Sequence, residues 1–179
     1  MTIYLLEIIR LFIGFVLVAG ALGKYSVFDQ FVTGTAEALG VSLKAVKFVA
    51  PIVILCEAAI GGSLVFKLIS PYLLMWAALT LFVIFTGLII YWLMQNAVIS
   101  CHCFGEAPQP LTFWDLLRNI LLLVSIGYFL LQPQAVAELD TISLLLAGGV
   151  AMILTLVIIN FSQLVVMKNT FSEGAYRVE

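Results

Sequence analysis

The chain has 179 residues, of which 64% are hydrophobic and only 10% are Asp, Glu, Lys or Arg. A soluble domain carries roughly 25% charged residues, so this composition cannot coat a surface that faces water. Eight basic against ten acidic residues, a net charge of −2 and no basic stripe also exclude a nucleic-acid binder. What remains is a small polytopic membrane protein, all-α, in contact with the lipid bilayer.

Five stretches are long enough to cross about 30 Å of hydrocarbon at 1.5 Å per residue. The first runs from Ile3 to Leu22 and is interrupted by Glu7 and Arg10, three positions apart on one face, a spacing that predicts a pair near the N-terminal end of the span, with Arg10 reaching the bundle centre as the alternative. It lacks a basic leading segment, and Arg10 sits where a signal peptide is uninterrupted, so the reading is a retained helix. Between Lys24 and Lys47, Phe28, Phe31, Val32 and Leu39 recur at three-to-four spacing against Asp29, Gln30, Thr33 and Glu37. That pattern predicts a short amphipathic helix in the interface over about 27–40, with an ordinary solvated loop as the alternative. The second span, Phe48 to Phe66, carries Cys56 and Glu57. The third, Pro71 to Met94, starts on Ser70 as cap and Pro71 at the first helical position, where a missing N–H costs nothing. The fourth runs from Phe113 to Leu131 behind Thr112, with Asp115 completing a capping box. The fifth, Thr141 to Met167, contains Gly148, Gly149 and Asn160. Tyr91, Trp92 and Trp114 fall at span ends, as an aromatic belt requires. No repeat, low-complexity tract or linker divides residues 1–179, which read as a single integral membrane domain.

Five spans place the termini on opposite sides. The side holding the connections after the first and third spans and the C-terminal tail, side B, carries Lys24, Lys44, Lys47, Lys168 and Arg177; side A carries only Lys67. By the positive-inside rule side B is cytoplasmic.

The connection after the third span reads Ser100-Cys101-His102-Cys103-Phe104-Gly105 and holds two of the three cysteines. Cα atoms two residues apart can fall within the roughly 4.4–6.8 Å that a disulfide allows. Closing so small a ring forces awkward dihedrals, so a Cys-x-Cys disulfide is easily reduced and suits exchange better than stapling. The alternative is two unpaired structural thiols. Zinc is disfavoured: three adjacent side chains do not readily converge on one tetrahedral ion, and no second Cys/His cluster completes the set, so no metal is expected. His102 either shuttles a proton during exchange or is an idle loop histidine.

Polar residues inside spans are costly in lipid and are functional candidates. Arg118 lies about 8 Å below side B and Glu57 about 13 Å, from the helical rise. These depths predict a Glu57–Arg118 pair with Lys24 and the Cys-x-Cys loop above it, either as a site or as a charge pair that only holds the bundle together. As a site, Lys24 and Arg118 would favour a thiolate at Cys101 or Cys103, the reacting species. Cys56, beside Glu57, reads as a buried inert thiol, with a relay to the loop cysteines as the lesser alternative.

These residues resemble the MauE group of the MauE/DoxX-like redox-associated membrane proteins. The resemblance rests on Arg10-Leu-Phe-Ile-Gly14 through Ala19-Gly20 to Lys24, with Phe28 and Phe31; on Ala50-Pro51, Glu57 and Gly61-Gly62; on Cys101-His-Cys-Phe-Gly105; and on Leu116-Leu-Arg118-Asn119. It covers about residues 8 to 125, the first four spans. It implies a four-helix redox core with a fifth C-terminal transmembrane helix added, in a bacterial cytoplasmic (inner) membrane. It further implies an extracytoplasmic thioredoxin-like partner, a role in disulfide formation or reduction, and methylamine dehydrogenase maturation as the namesake case. Carried over by position, Cys101 and Cys103 are the redox pair, and Arg10, Lys24, Glu57 and Arg118 the intramembrane polar set. An extracytoplasmic partner wants side B outside, against the lysine count. The count weighs less, because Lys24 matches a family position.

The expected function is a membrane thiol–disulfide oxidoreductase whose cofactor is its own redox-active disulfide. Its electrons pass either to a quinone held between aromatic-rich spans or along a thiol relay. A non-catalytic assembly factor or anchor for a periplasmic redox protein is the alternative. A transporter is disfavoured by the absence of broken helices and inverted repeats.

Overall fold

The computed structural model describes residues 2–94, 113–132 and 140–175, with side chains through Asn160. Every element in it is an α-helix: α1 (Thr2–Ser26), α2 (Phe28–Leu39), α3 (Leu43–Phe66), α4 (Pro71–Met94), α5 (Phe113–Leu131) and α6 (Thr141–Ala175). All but α2 are long and apolar enough to cross a membrane, which gives five spans among the described residues. The bounds of α4 and α5 are those expected. The first helix continues four residues beyond Leu22, the second span begins five residues before Phe48, and α6 runs past Met167. Hydropathy marks where a helix leaves the hydrocarbon, whereas the backbone stays helical into the interface.

Local chemistry sets the ends. α2 stops at Gly40, which takes the left-handed conformation (φ 63°), and the next amide donates to Ala36 O at 3.2 Å. Ser42 then caps α3 by accepting from the Ala45 amide at 3.4 Å. α3 ends at Lys67, a non-glycine residue at φ 52°. α4 opens on Pro71, and Ser70 O accepts the Leu74 amide at 3.2 Å. Thr112, expected to cap α5, lies outside the described residues.

The helix α1 is the most enclosed of the five spans and packs chiefly on α3 and α6, with further contact to α5 and α4. Its antiparallel contact with α3 is close because Gly14 and Gly61 face each other. A Cβ on Gly14 would stand 3.1 Å from Gly61 O, and one on Gly61 only 2.8 Å from Gly14 O. Membrane helices lack a hydrophobic drive to associate, so such backbone approach, which maximises dispersion contact, holds them together. α6 uses the same device, presenting buried Ala147, Ala151 and Thr155 at four-residue spacing. α4 packs mainly on α5. The amphipathic α2 turns Val32 and Ala36 onto Val46 and Ala50 of α3, with Phe28 and Phe31 beside them. Asp29, Gln30, Thr33 and Glu37 stay exposed, as the spacing predicted.

Candidate functional site

Two buried ionic clusters clamp α1 to α3, one toward each side of the membrane. At the side-A end, Arg10 Nε donates to Glu7 Oε2 at 2.7 Å, the predicted i,i+3 pair. Arg10 also donates to the carbonyls of Leu64 and Val65. Those carbonyls belong to the last turn of α3, where oxygens lack intrahelical donors and the helix dipole is negative. Lys67, just beyond that turn, reaches Glu7 Oε1 at 2.7 Å. Arg10 is therefore a fastening residue between two helices, far along α1 from the loop that follows α4.

The second cluster lies toward side B. Lys24 Nζ meets Glu57 Oε1 at 2.6 Å and Oε2 at 2.8 Å, and both side chains are buried. The sequence predicted Arg118 as the partner of Glu57, and the structure corrects this. Arg118 instead approaches Asp115 one turn back on α5, Nη2 to Oδ1 at 3.4 Å. The reason lies in side-chain direction. A helical Cβ tilts toward the helix N-terminus, so Lys24, placed at side B by its backbone, reaches down into the bundle. The ammonium also sits 5.0 Å from the centre of the Phe85 ring of α4, a cation–π contact.

Lys24, Glu57 and Arg118 nevertheless share one space. A cavity of about 300 Å³ lies among α1 to α5, and all three side chains line it together with Asn119, Thr35 and Trp92. The remaining wall is apolar, from residues such as Val16, Leu17, Phe31, Phe82 and Leu88. Trp92 was expected in the aromatic belt, but it is 8% exposed and turned into this cavity, whereas its neighbour Tyr91 is exposed. The indole Nε1 of Trp92 is buried and has no hydrogen-bond partner among the described residues. Thr35, Trp92 and Asn119 are polar lining residues that sequence reasoning left out of the site. The available signal for Asn119 was its place after Arg118 in the second turn of α5, inside a span where amides are expensive.

Cys56 needs a second correction: it is exposed on the outer face of α3 and does not point at the cavity. Glu57, one residue on, faces inward because adjacent helical positions point about 100° apart. Cys101, His102 and Cys103 lie outside the described residues. They are in the segment that joins α4, whose last turn supplies Trp92, to α5, whose second turn supplies Arg118 and Asn119.

A sequence model of the family described as methylamine utilisation protein MauE matches residues 2–132, from the start of α1 to the end of α5. The chain belongs to the MauE family. Neither the curated proteins nor the solved structures include a match to it. The matched region contains both ionic clusters and every residue that lines the cavity, while α6 of this MauE protein lies beyond it. The added fifth span packs on the outer side of α1 through small residues and lines no part of the cavity.

Proposed function

We propose that this MauE protein is a membrane thiol–disulfide oxidoreductase in a bacterial inner membrane, working with an extracytoplasmic thioredoxin-fold partner through Cys101 and Cys103. The observation that carries this reading is the cavity among α1 to α5, into which Lys24, Glu57, Arg118 and Asn119 converge, beside the ends of α4 and α5, the two helices whose connection contains the cysteine pair. Buried Lys24, Glu57, Arg118 and Asn119 are costly in a bilayer, and their convergence at the root of a Cys-His-Cys segment gives that cost a use.

The exchange conserves atoms and electrons. A thiolate of the partner attacks one sulfur of the Cys101–Cys103 disulfide, breaking that S–S bond and forming a mixed disulfide. The partner's second thiolate then breaks the mixed disulfide. The partner leaves oxidised and the pair remains as a dithiol; the reverse sequence reduces the partner. Arg118, fifteen residues after Cys103 in the chain, supplies positive charge near the root of the segment, which favours the thiolate form. His102 is suited to carry the proton that each step releases or takes up. With the partner outside the cell, side B is extracytoplasmic. Lys24 does not oppose this, since its charge is spent on Glu57 inside the bundle and not on the membrane surface.

Single Cys101→Ser and Cys103→Ser variants test the reading. One of them should accumulate a dithiothreitol-sensitive adduct with a thioredoxin-fold protein. Full function in the double serine variant, with no adduct in either single one, would leave only a non-catalytic assembly factor or anchor.

A further inference from the structure

The charged groups that line the cavity are already engaged. The Lys24 ammonium is shared by both oxygens of Glu57 and faces the Phe85 ring, and Arg118 approaches Asp115. Asn119 differs. It lines the cavity and is only 6% exposed, yet no hydrogen bond among the described residues engages its side chain. Its amide atoms are not sealed off by their neighbours, in contrast to the indole nitrogen of Trp92. The Thr35 hydroxyl, which also lines the cavity, makes no hydrogen bond among the described residues either. Thr33, Thr80, Thr86 and Thr155 each return theirs to a carbonyl of their own helix. An amide this far inside a membrane bundle is expensive until something bonds to it.

The two groups lie toward one end of the cavity. Thr35 belongs to the interfacial α2, and Asn119, in the second turn of α5, lies about 9 Å below side B by the helical rise. The far end is formed by Val16, Leu17 and Phe82, beside the closed Lys24–Glu57 pair. Along α3 the lining runs from Val46 to Glu57, about 16 Å, or roughly one leaflet of the hydrocarbon core. Val49 of α3 and Ile84 of α4 line the cavity and are 52% and 57% exposed, so it opens between these two helices toward lipid. Polar toward the surface and apolar toward the membrane centre is the polarity of a lipid in the side-B leaflet.

Size and charge narrow the occupant. The volume of about 300 Å³ is twice the roughly 150 Å³ that accommodates benzene, which leaves room for roughly ten to twelve carbon atoms. The charge of Lys24 is spent on Glu57, so this ammonium does not call for an anionic head. An amide both donates and accepts, as a hydroxyl does, so a hydroxyl head satisfies Asn119 in either role.

We infer that this cavity binds one hydrocarbon chain with a neutral hydroxyl head, drawn from the side-B leaflet between α3 and α4. The head lies toward Asn119 and Thr35 and the chain toward Val16, Leu17 and Phe82. The site is independent of the cysteine pair and of the thiol–disulfide reading.

The test is photolabelling of the full chain in lipid nanodiscs with a ten-carbon alcohol that carries a diazirine at its tail end. It compares the wild type with Asn119→Leu, Thr35→Val and Val53→Phe, each first melted to show that it folds. Saturable labelling at Val16, Leu17 or Phe82 is expected, displaced by 1-decanol. Asn119→Leu keeps the volume and loses the amide, so 1-decanol should compete about 3–10-fold less well than in the wild type. Decane should compete equally in both, which cancels the different partitioning of the two competitors. Asn119→Leu should also melt no lower than the wild type without ligand, since it removes a buried unpaired amide. Thr35→Val should weaken 1-decanol less than Asn119→Leu does, and Val53→Phe, which fills the cavity, should abolish labelling. Non-saturable labelling spread over lipid-facing residues would overturn the site, as would wild-type competition by 1-decanol in Asn119→Leu, the result expected if water serves the amide. Labelling at Thr35 or Leu39 would reverse the orientation and so contradict it. Decanoate competing better than 1-decanol would overturn the neutral head.

Discussion

The Lys24 ammonium meets both carboxylate oxygens of Glu57, at 2.6 and 2.8 Å, and so joins the C-terminal end of α1 to the middle of α3. Both partners are buried, so the pair is a matched set. Removing one member strands a charge in the bundle, at a cost of about 3–5 kcal/mol, whereas replacing both by apolar groups of similar size is close to neutral. Lys24→Met and Glu57→Leu should each lower thermal stability in detergent sharply, and the double variant should recover most of it. If the double variant is also inactive while folded, the pair serves the site as well as the bundle. Additive losses in the double variant would show that the two side chains do not interact.

The α1–α3 contact depends on two glycines. Gly61→Ala would put a Cβ 2.8 Å from a backbone oxygen of Gly14, and backbone cannot yield as a side chain does. A loss of about 1–3 kcal/mol is expected in chemical or thermal unfolding. Gly62→Ala and Gly87→Ala meet nothing within 4 Å and should stay within about 0.5 kcal/mol of the parent. Equal effects at Gly61 and Gly62 would contradict the packing described.

At the side-A clamp the members differ in what they leave behind. Arg10→Leu removes the donors to Glu7 and to the carbonyls of Leu64 and Val65, and should cost about 3–5 kcal/mol. Lys67→Ala removes a partly exposed member of the same cluster and should cost about 1 kcal/mol or less. Arg10→Lys keeps the charge but not the fork, and should fall between them. The three unfolding midpoints rank the clamp directly.

Much of this architecture is legible in the sequence. The spans read through because about 20 apolar residues have no other use than lipid. The Phe28–Leu39 helix reads through because its polar and apolar faces differ. The Glu7–Arg10 pair reads through because its partners share one helix, so no packing angle is needed. Pairings between helices were less accessible. Depth arithmetic put Glu57 and Arg118 within about 5 Å of each other along the membrane normal, but the reach of Lys24 back along α1 decided the partner. The facing of Cys56 and Trp92 was hidden for a different reason: α3 and α4 are apolar on all sides, so sequence does not say how either helix is rotated. The cavity is a property of five packed helices and has no counterpart in any one of them.

Cys56 lies on the outer face of α3 and lines no part of the cavity. Cys56→Ala should leave stability within about 0.5 kcal/mol and the redox cycle unchanged, as a melting curve and a thiol count would show. A lost cycle would revive a thiol relay through the membrane.

In that Cys56→Ala background only Cys101 and Cys103 remain, which makes the central claim directly measurable. Intact cells would be treated with a membrane-impermeant maleimide before and after mild reduction, and the labels on each chain counted. Cycling of an extracytoplasmic pair predicts little labelling before reduction and two labels per chain after it. Two labels already present before reduction, under every growth condition, would contradict a redox role for the pair.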